Sequence, residues 1–392
     1  MRKRIAFVNQ RYGLEVNGGS ELLCRQMAER LSSIYDVEVI TTCAVDYVTW
    51  ANSYPAGESV INGVRVRRFP VEREREPKSF GSISAAVLGG KDYSRENEWI
   101  DAQGPYSPEC VRWIKRHHSE YSAVIFMTYL YYLTAVTLSE PMENAVLLPT
   151  AHDEPPFHLP IYKKVFANAK AFIYLTEEEK KLCENKFGAK RVLSIVTGAG
   201  VEAPDKESLF DAKTRYGLGE YVLYVGRIDE SKGCGMLFRY FAEFKRRNGY
   251  DGLKLALCGK AVMDIPKRDD ILSLGFVTDE EKFSLIKNCK ALIMASEFES
   301  LSMAVLEAMA YGRPVLVNGR CRVLKSHCVN SNAGLYFENY FEFEGALRYI
   351  LTNESVCETM GKNGAAYVEK NYRWDVIVGK LTDLIEKFSS FI

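Results

Sequence analysis

The chain has 392 residues, of which 47% are hydrophobic and 26% charged, and its formal net charge is zero. This length accommodates two domains, each large enough to bury a core of its own. The balanced charge, with no recognisable RNA- or DNA-binding motif, argues against nucleic acid as a partner.

No stretch approaches the roughly 18 apolar residues of a membrane span. The ten cysteines contain no Cys-x-x-Cys pair. We therefore expect a cytoplasmic protein with reduced thiols.

Short apolar runs alternate with helical patterns along the first half of the chain. The run 3–10 is too short for a signal peptide and predicts a buried strand. Gly18 and Gly19 follow it, and two glycines before a helix let the backbone approach a ligand closely. The helix is predicted to reach about Ser32. Further strands are predicted at 37–42, 64–69, 123–127, 145–149, 171–175 and 192–196. This order predicts a mostly parallel, doubly wound sheet.

Two segments of the first half can be interpreted either as functional elements or as ordinary solvated surface. Residues 79–106 form a loop-rich insertion, which is either an acceptor-side element or a solvated surface excursion. The helix from Pro108 to about His118 has a basic face. We expect that face to be solvated, with contact to acidic lipid headgroups at the inner face of the membrane as the alternative.

A His-Asp pair, His152 and Asp153, follows the strand predicted at 145–149. Doubly wound sheets bind ligands at this end of their strands. A histidine that caps the loop and an aspartate that caps the next helix explain the spacing equally well. Gly198 and Gly200 follow the last strand of the first half. The polar, proline-containing stretch 203–219 predicts a linker, so the first domain spans 1–202.

The alternation restarts with a strand at 221–225, followed by Gly226 and Arg227 and then by Lys232 before a helix. Two fixed cations near a helix N-terminus can neutralise a diphosphate and stabilise charge on a leaving group. A lone arginine or lysine is more often a surface cation. Further strands are predicted at 254–258, which ends at Gly259, and at 272–277, 291–294 and 314–317. Helices are predicted at 279–287, 341–351, 354–369 and 374–388.

Two glutamates flank the start of an alanine-rich helix. Glu299 lies in the loop after the strand 291–294, Ser300 or Ser302 is the predicted cap, and Glu307 lies in the early turns of the helix. At 1.5 Å per helical residue the two acids are about 12 Å apart, which suits the two ends of an extended ligand with phosphate at the helix N-terminus.

Cys321, His327 and Cys328 form a further cluster downstream of the two glutamates. Zinc would need a fourth ligand that the nearby sequence does not supply, so a buried structural loop is favoured.

Four of these segments together resemble retaining GT-B glycosyltransferases of family 4, the glycosyl transferases group 1. The motifs occur in the family's order along nearly the whole chain: Gly18-Gly19-Ser20-Glu21, His152-Asp153, Gly226-Arg227 with Lys232-Gly233, and Glu299 with Glu307. The resemblance implies an α/β, GT-B fold of two Rossmann-like, doubly wound domains with a cleft between them. It also implies that 220–373 binds the nucleotide sugar and that the helix 374–392 crosses back onto the first domain.

The resemblance assigns a role to each matching residue. Glu299 would approach the donor sugar hydroxyls, Glu307 the ribose, and His152 the sugar or the leaving phosphate. The predicted catalytic residues are Glu299, His152, Arg227 and Lys232. The predicted substrate-binding residues are Gly18, Gly19, Asp153, Gly198, Gly200, Gly226, Gly259, Ser300, Leu301, Ser302, Met303 and Glu307.

Two departures from the family pattern are visible. The family often has Gly-Phe-Gly where this chain has Ser300-Leu301-Ser302, which predicts a differently shaped loop. The asparagine of the family's Asn-Gly-Val-Asp turn is absent, so only the backbone of 198–200 is carried over.

The implied reaction transfers a sugar from a nucleotide-diphosphate donor to a hydroxyl acceptor with retention of configuration. The family mechanism is usually described as front-face displacement without an enzyme nucleophile. No Asp-x-Asp motif is evident, so we expect no metal and no cofactor. The expected acceptor is a glycan or lipid-linked saccharide of polysaccharide biosynthesis. The alternatives are a nucleotide-sugar epimerase with the GT-B fold and a non-catalytic partner subunit that binds a sugar nucleotide.

Overall fold

The computed structural model describes residues 2–16, 18–188, 192–202 and 211–390. The chain divides into two compact units, Met1–Thr197 with Val378–Ile392, and Gly198–Ile377. Three parts of the sequence-based predictions lie outside the described residues: Asn17 before the two glycines, 203–210 of the predicted linker, and the last two residues of the predicted C-terminal helix.

The first unit is built on a sheet whose described strands are all parallel except at one edge. The strands are β1 (Arg4–Val8), β2 (Asp36–Thr42), β3 (Gly57–Ile61), β4 (Val64–Phe69), β5 (Ala123–Met127), β6 (Ala145–Leu148), β7 (Ala171–Tyr174) and β8 (Leu193–Val196). Their order is β3-β4-β2-β1-β5-β6-β7-β8, with β3 antiparallel to β4. The sequence did not predict β3, because its residues are mostly exposed and form no buried apolar run.

The helices of the first unit cover the sheet and order the insertion. They are α1 (Gly19–Leu31), α2 (Pro77–Ser84), α3 (Glu96–Gln103), α4 (Pro108–His117), α5 (Tyr132–Thr137), α6 (Ile161–Asn168) and α7 (Glu177–Phe187). Within the insertion, Trp99 is buried and its indole N–H donates to Ser84 Oγ at 2.9 Å. The segment is therefore a packed helical layer of the first unit.

The second unit has a fully parallel sheet. Its strands are β9 (Glu220–Val225), β10 (Leu253–Cys258), β11 (Ile271–Gly275), β12 (Leu292–Met294), β13 (Val315–Asn318) and β14 (Gly334–Phe337), in the order β11-β10-β9-β12-β13-β14. Numbered within the unit this is 3-2-1-4-5-6, the order of the Rossmann fold. In such a sheet, ligands bind where the strand order reverses, which here is between the carboxyl ends of β9 and β12.

The helices of the second unit follow the predicted alternation. They are α8 (Ala212–Arg215), α9 (Cys234–Asn248), α10 (Asp279–Asn288), α11 (Met303–Ala310), α12 (Arg322–Ser331), α13 (Tyr340–Thr352) and α14 (Glu354–Asn371). Thr278 caps α10: its hydroxyl accepts from the Glu281 N–H, and the Glu281 carboxylate accepts from the Thr278 N–H. This reciprocal pair satisfies two N–H groups that the helix itself leaves unpaired.

The last helix, α15 (Trp374–Ser389), continues into the segment grouped with the first unit. There the Tyr35 hydroxyl donates to Glu386 at 2.8 Å, and Lys380 Nζ donates to the Val196 carbonyl at 3.3 Å. Among the described residues, no helix is both long and apolar enough to cross a membrane.

Acidic partners surround the basic face of α4. Lys115 Nζ lies 2.9 Å from Glu140, the His117 ring 2.6 Å from Glu120, and Arg112 3.9 Å from Glu72. These pairs reduce the positive charge that an anionic lipid surface would attract.

Candidate active site

Two glycines bring the backbone of neighbouring strands together at the carboxyl edge of the second sheet. Gly226 follows β9 with φ 150°, and Gly259 follows β10 with φ 143°. A Cβ on Gly259 would overlap the Gly226 carbonyl. The Gly226 N–H donates to the Cys258 carbonyl at 2.9 Å. Glycine is therefore required here by close backbone approach, and the chain emerges at this edge directly into Arg227.

The two predicted diphosphate-binding cations lie on the turn between β9 and α9. Arg227 Nε is 2.9 Å from Asp229 Oδ2, and its side chain is about half exposed. Lys232 is followed by Gly233, which has φ 72° and packs so closely on Ala295 that a Cβ would overlap the Ala295 carbonyl. This contact places Lys232 beside the loop that follows β12.

The first glutamate of the pair contacts the second cation. Lys232 Nζ lies 2.8 Å from Glu299 Oε1, with side-chain exposures of 31% and 15%. Two residues 67 positions apart in sequence thus meet at the point where the strand order reverses. A partly buried cation and a partly buried carboxylate at this edge can hold opposite parts of a polar ligand.

The loop between the glutamates ends in a strained residue. Ser302, the N-cap position of α11, has φ 68° and ψ 82°, a left-handed conformation that non-glycine residues rarely adopt. The predicted capping by its side chain is not seen, because the Ser302 hydroxyl makes no cap hydrogen bond. The first N–H groups of α11 therefore donate no hydrogen bond to the Ser302 hydroxyl, and donors of this kind bind phosphate readily.

The second glutamate has a lysine partner of its own. Glu307 Oε1 lies 2.9 Å from Lys282 Nζ, and the two side chains are 13% and 19% exposed. Lys282 also lies 3.0 Å from Asp279. Burial raises the pKa of Glu307, and the charge and hydrogen bond of Lys282 oppose that rise. Sequence reasoning missed Lys282, because helical spacing on α10 gives no sign that this residue faces α11.

The glycine turn at 198–200, predicted at the end of the first domain, belongs to the second unit and is packed against aromatic rings. A Cβ on Gly198 would overlap the ring of Tyr372, and a Cβ on Gly200 would overlap the ring of Trp374. The Val201 N–H donates to the Tyr372 carbonyl at 2.8 Å. Packing thus accounts for both glycines, and their predicted contact with substrate stays a prediction.

In the first unit, the acid of the Gly-Gly-x-Glu motif is part of a buried ion pair. Glu21 Oε1 lies 2.6 Å from Arg11, and both side chains are 5% exposed. Gln10 also donates to Glu21, at 2.9 Å. A Cβ on Gly18 would overlap the Glu21 carboxylate, whereas the space beside Gly19 is open. The backbone of Gly19 is thus accessible to a ligand at the start of α1.

His152 follows β6 and pairs with a glutamate rather than with its neighbour. His152 Nε2 lies 3.1 Å from Glu154 Oε2, and the Tyr129 hydroxyl donates to Glu154 Oε1 at 2.9 Å. Asp153 is mostly exposed and lies 2.8 Å from His158. The carboxylate that orients His152 is therefore Glu154, two residues further along the chain.

A buried carboxylate lies beneath the His152 loop. Glu179, on α7, accepts the Ala151 N–H at 2.7 Å and the Leu175 N–H at 2.6 Å. Burial raises its pKa to about 7 against the effect of these hydrogen bonds and of the nearby His152. The Glu179 N–H also donates to the Thr176 hydroxyl at 3.1 Å, which caps the start of α7.

Solved structures identify the class of fold. The chain is similar to sucrose-phosphate synthase from Thermosynechococcus elongatus, with a TM-score of 0.73 and 17% identity over 100% of both chains. It is also similar to Anabaena HepE in complex with UDP and glucose, with a TM-score of 0.70 and 14% identity over 98% of this chain and 100% of that one. The protein has the GT-B fold of two Rossmann-like domains.

The sequence matches show which known families and proteins parts of the chain resemble. Residues 205–367 match the family model of the glycosyl transferases group 1. Among curated proteins, the chain is 28% identical over 223 residues to alpha-D-kanosaminyltransferase of Streptomyces kanamyceticus. That match covers 52% of this chain and 57% of the relative, so the chain spans little more than half the length of this protein. The family match therefore covers the part of the chain that contains Arg227, Lys232, Glu299 and Glu307.

Proposed function

We propose that this protein is a retaining glycosyltransferase that moves a sugar from a nucleotide-diphosphate donor to a hydroxyl acceptor. One observation carries the proposal: Lys232 and Glu299 are in contact at the reversal point of the second sheet, where Arg227 also follows the end of β9, and Glu307 lies on the helix that follows. The second unit thus presents basic side chains, acidic side chains and backbone N–H groups. An extended donor with a sugar, a diphosphate and a ribose requires all three kinds of group.

Donor binding would exchange the partner of Lys232. In the structure Lys232 contacts Glu299, and Arg227 contacts Asp229. A diphosphate is a stronger partner for both cations, because it carries more charge and more acceptor oxygens than one carboxylate. Glu299, once released, accepts hydrogen bonds from the sugar hydroxyls. The carboxylate of Glu307 accepts hydrogen bonds from the ribose hydroxyls.

The reaction mainly requires that the negative charge developing on the departing diphosphate be stabilised. Arg227, Lys232 and the N–H groups at the start of α11 would stabilise that charge as the sugar–phosphate bond breaks. The leaving phosphate then takes the proton of the acceptor hydroxyl as the new glycosidic bond forms, so no enzyme nucleophile is needed. In the first unit, His152 stays a predicted catalytic residue whose ring is oriented by Glu154.

We propose that these two cations replace a divalent metal and that no cofactor takes part. For the donor, a UDP-sugar is the first candidate, because a structure of similar fold, Anabaena HepE, is in complex with UDP and glucose. For the acceptor, we propose a glycan or lipid-linked saccharide and a cytoplasmic site of action, in keeping with the family resemblance.

The proposal is tested by sugar transfer in the presence of EDTA. UDP release from a panel of UDP-sugars is measured with and without candidate saccharide acceptors, and NMR of the product gives its anomeric configuration. We expect acceptor-dependent UDP release and an unchanged anomeric configuration. Glu299→Ala should lower kcat more than affinity, whereas Glu307→Ala should weaken nucleotide binding. An inverted product would contradict retention, and full activity of both variants would contradict the site.

A further inference from the structure

A buried histidine on α12 contacts the loop between the two glutamates. His327 is 2% exposed, and its Nε2 lies 2.8 Å from the carbonyl oxygen of Leu301. Its Nδ1 lies 3.3 Å from the hydroxyl of Tyr367, on α14. Both ring nitrogens thus face oxygen atoms. His327 belongs to the Cys321–Cys328 cluster, but its contacts lead to the candidate active site.

The donors and acceptors of this contact follow from elementary chemistry. A carbonyl oxygen only accepts, so His327 Nε2 must have a hydrogen. In the neutral ring Nδ1 then accepts, and the Tyr367 hydroxyl donates to it. The Tyr367 oxygen is 3.2 Å from the Tyr372 hydroxyl, which can donate to it in turn. The hydrogen bonds therefore run in one direction, from Tyr372 through Tyr367 and His327 to Leu301.

The Leu301 carbonyl lies next to the strained residue of the loop. It belongs to the peptide that joins Leu301 to Ser302, and Ser302 has φ 68°. Rotating this peptide would turn the Ser302 N–H away from the start of α11. A side chain at a positive φ has a conformational cost that glycine avoids. The hydrogen bond from His327 opposes relaxation of this peptide.

The other end of the same chain of hydrogen bonds contacts the glycine turn. The backbone carbonyl of Tyr372 accepts a hydrogen bond from the Val201 N–H at 2.8 Å. The aromatic ring of Tyr372 occupies the space beside Gly198. The two backbone segments predicted to approach the donor, 198–200 and 301–303, are thus connected by three side chains, those of Tyr372, Tyr367 and His327.

We infer that His327 is a positioning residue for the diphosphate part of the donor. It holds the Leu301–Ser302 peptide so that the N–H groups at the start of α11 face the phosphates, and Tyr367 fixes the tautomer that makes this possible. The inference rests on the proposed function, because it assigns His327 to the site that binds the donor. It predicts that a defect at His327 weakens binding of the diphosphate but not of the nucleoside.

The test compares two substitutions with two ligands. His327→Gln can keep an N–H near the Nε2 position, whereas His327→Leu removes it at similar volume. The affinities of UDP and of uridine for each protein are measured by calorimetry. We expect His327→Leu to weaken UDP binding about tenfold, the loss of one hydrogen bond in the site. We expect uridine affinity to stay within about twofold, and His327→Gln to restore most of the UDP affinity.

A glycine at position 302 provides an independent readout. Because glycine adopts a positive φ without strain, Ser302→Gly in the His327→Leu background should recover at least about threefold in UDP affinity. A destabilised core would not be repaired in this way. If His327→Leu fails to fold, Tyr367→Phe is measured instead and should weaken UDP binding about threefold, again without changing uridine binding.

The outcomes separate the inference from the function on which it rests. The positioning role would be overturned if His327→Leu lost the same factor of affinity for UDP and for uridine, or if its UDP affinity were unchanged. Where His327→Leu does not fold, the same two outcomes in Tyr367→Phe would overturn it. Neither outcome would contradict donor binding itself. A wild-type protein that binds neither UDP nor any other nucleoside diphosphate would overturn the proposed function, and the inference with it.

Discussion

Lys282 Nζ lies 2.9 Å from Glu307 Oε1, joining α10 to α11 beneath the second sheet's carboxyl edge. Together with the 2.8 Å contact between Lys232 and Glu299, it gives each glutamate of the pair a lysine partner. The two pairs differ in whether the lysine would leave its glutamate when the donor binds. Lys232 would leave Glu299 for the diphosphate, whereas Lys282 would stay to keep Glu307 ionised.

Removing Lys282 should leave a buried carboxylate without its cation. We expect Lys282→Met to lower the free energy of unfolding at pH 8 by about 1–3 kcal/mol. The loss should shrink as the pH is lowered through the raised pKa of Glu307, because the carboxylate then takes up a proton. Urea unfolding at a series of decreasing pH values measures the effect. The matched control is Lys290→Met, which removes an exposed pair with Glu220 of similar length, 2.8 Å. It should change the free energy of unfolding by less than about 0.5 kcal/mol, and an equal loss in both variants would contradict the special role of Lys282.

Nucleotide affinity should depend on the protonation of Glu307. Burial raises the pKa of this group above its ordinary value of 4.5, so the carboxylate is lost at a higher pH than in an exposed glutamate. As the pH falls through the raised pKa, the ribose loses a charged acceptor and UDP binding weakens. Glu307→Gln cannot titrate and should bind UDP about tenfold more weakly at pH 8. The ratio of the two affinities, measured by calorimetry at stepwise lower pH from pH 8, should fall towards one, and a constant ratio would show that Glu307 does not act as an ionised acceptor.

The orientation of His152 should depend on Glu154. Glu154 holds the ring at 3.1 Å and is itself held by the Tyr129 hydroxyl. Because an amide in place of the carboxylate weakens this contact, Glu154→Gln should lower kcat about tenfold with little change in KM for the donor. Glu143→Gln, an exposed acid of the same unit beside Lys170, is the control and should have no effect. Unchanged kcat in Glu154→Gln would remove His152 from the predicted catalytic residues.

Glu179 should make the stability of the first unit depend on pH. Its pKa of about 7 lies above the ordinary 4.5, so between these values the folded protein keeps a proton that the unfolded chain has lost. The stabilising contribution is therefore complete below pH 4.5 and is lost as the pH rises to about 7. Relative to Glu179→Gln, the wild type should lose about 2–3 kcal/mol of unfolding free energy between pH 5 and pH 8. Glu177→Gln, an exposed neighbour on α7, should show no such difference.

Much of the fold follows from the spacing of apolar residues. Parallel strands buried on both faces appear in the sequence as short apolar runs, and the predicted strand at 123–127 matches β5, Ala123–Met127, in full. The edge strands β3 and β14 were not predicted, because Gly57–Ile61 is mostly exposed and Gly334–Phe337 is only partly buried. Helices α5 and α6 were missed as well, since they lie between strands without strong capping residues. The loop predicted around Cys321, His327 and Cys328 is buried as expected, but it is wrong as a loop, because Arg322–Ser331 form α12.

The candidate site could be predicted only where residues follow strand ends. Arg227, Lys232 and Glu299 could be found this way, because each lies in a loop after a strand. Lys282 and His327 could not, because each lies within a helix and acts across space on a residue about 25 positions away. The pairing of His152 with Glu154 instead of Asp153 depends on the loop conformation, which single-residue patterns do not determine.

Nucleotide binding by the second unit tests the central claim most directly. The melting temperature is measured with UDP, GDP, ADP, dTDP and CMP, first without metal and then with magnesium, for the wild type and for Glu307→Ala and Lys232→Ala. A ligand that binds only the folded protein stabilises it by about 2.7 kcal/mol at a hundredfold excess over Kd. We predict that one nucleoside diphosphate raises the melting temperature of the wild type without metal, and that both variants lose most of this shift. No shift with any nucleotide, or equal shifts in wild type and variants, would contradict the account.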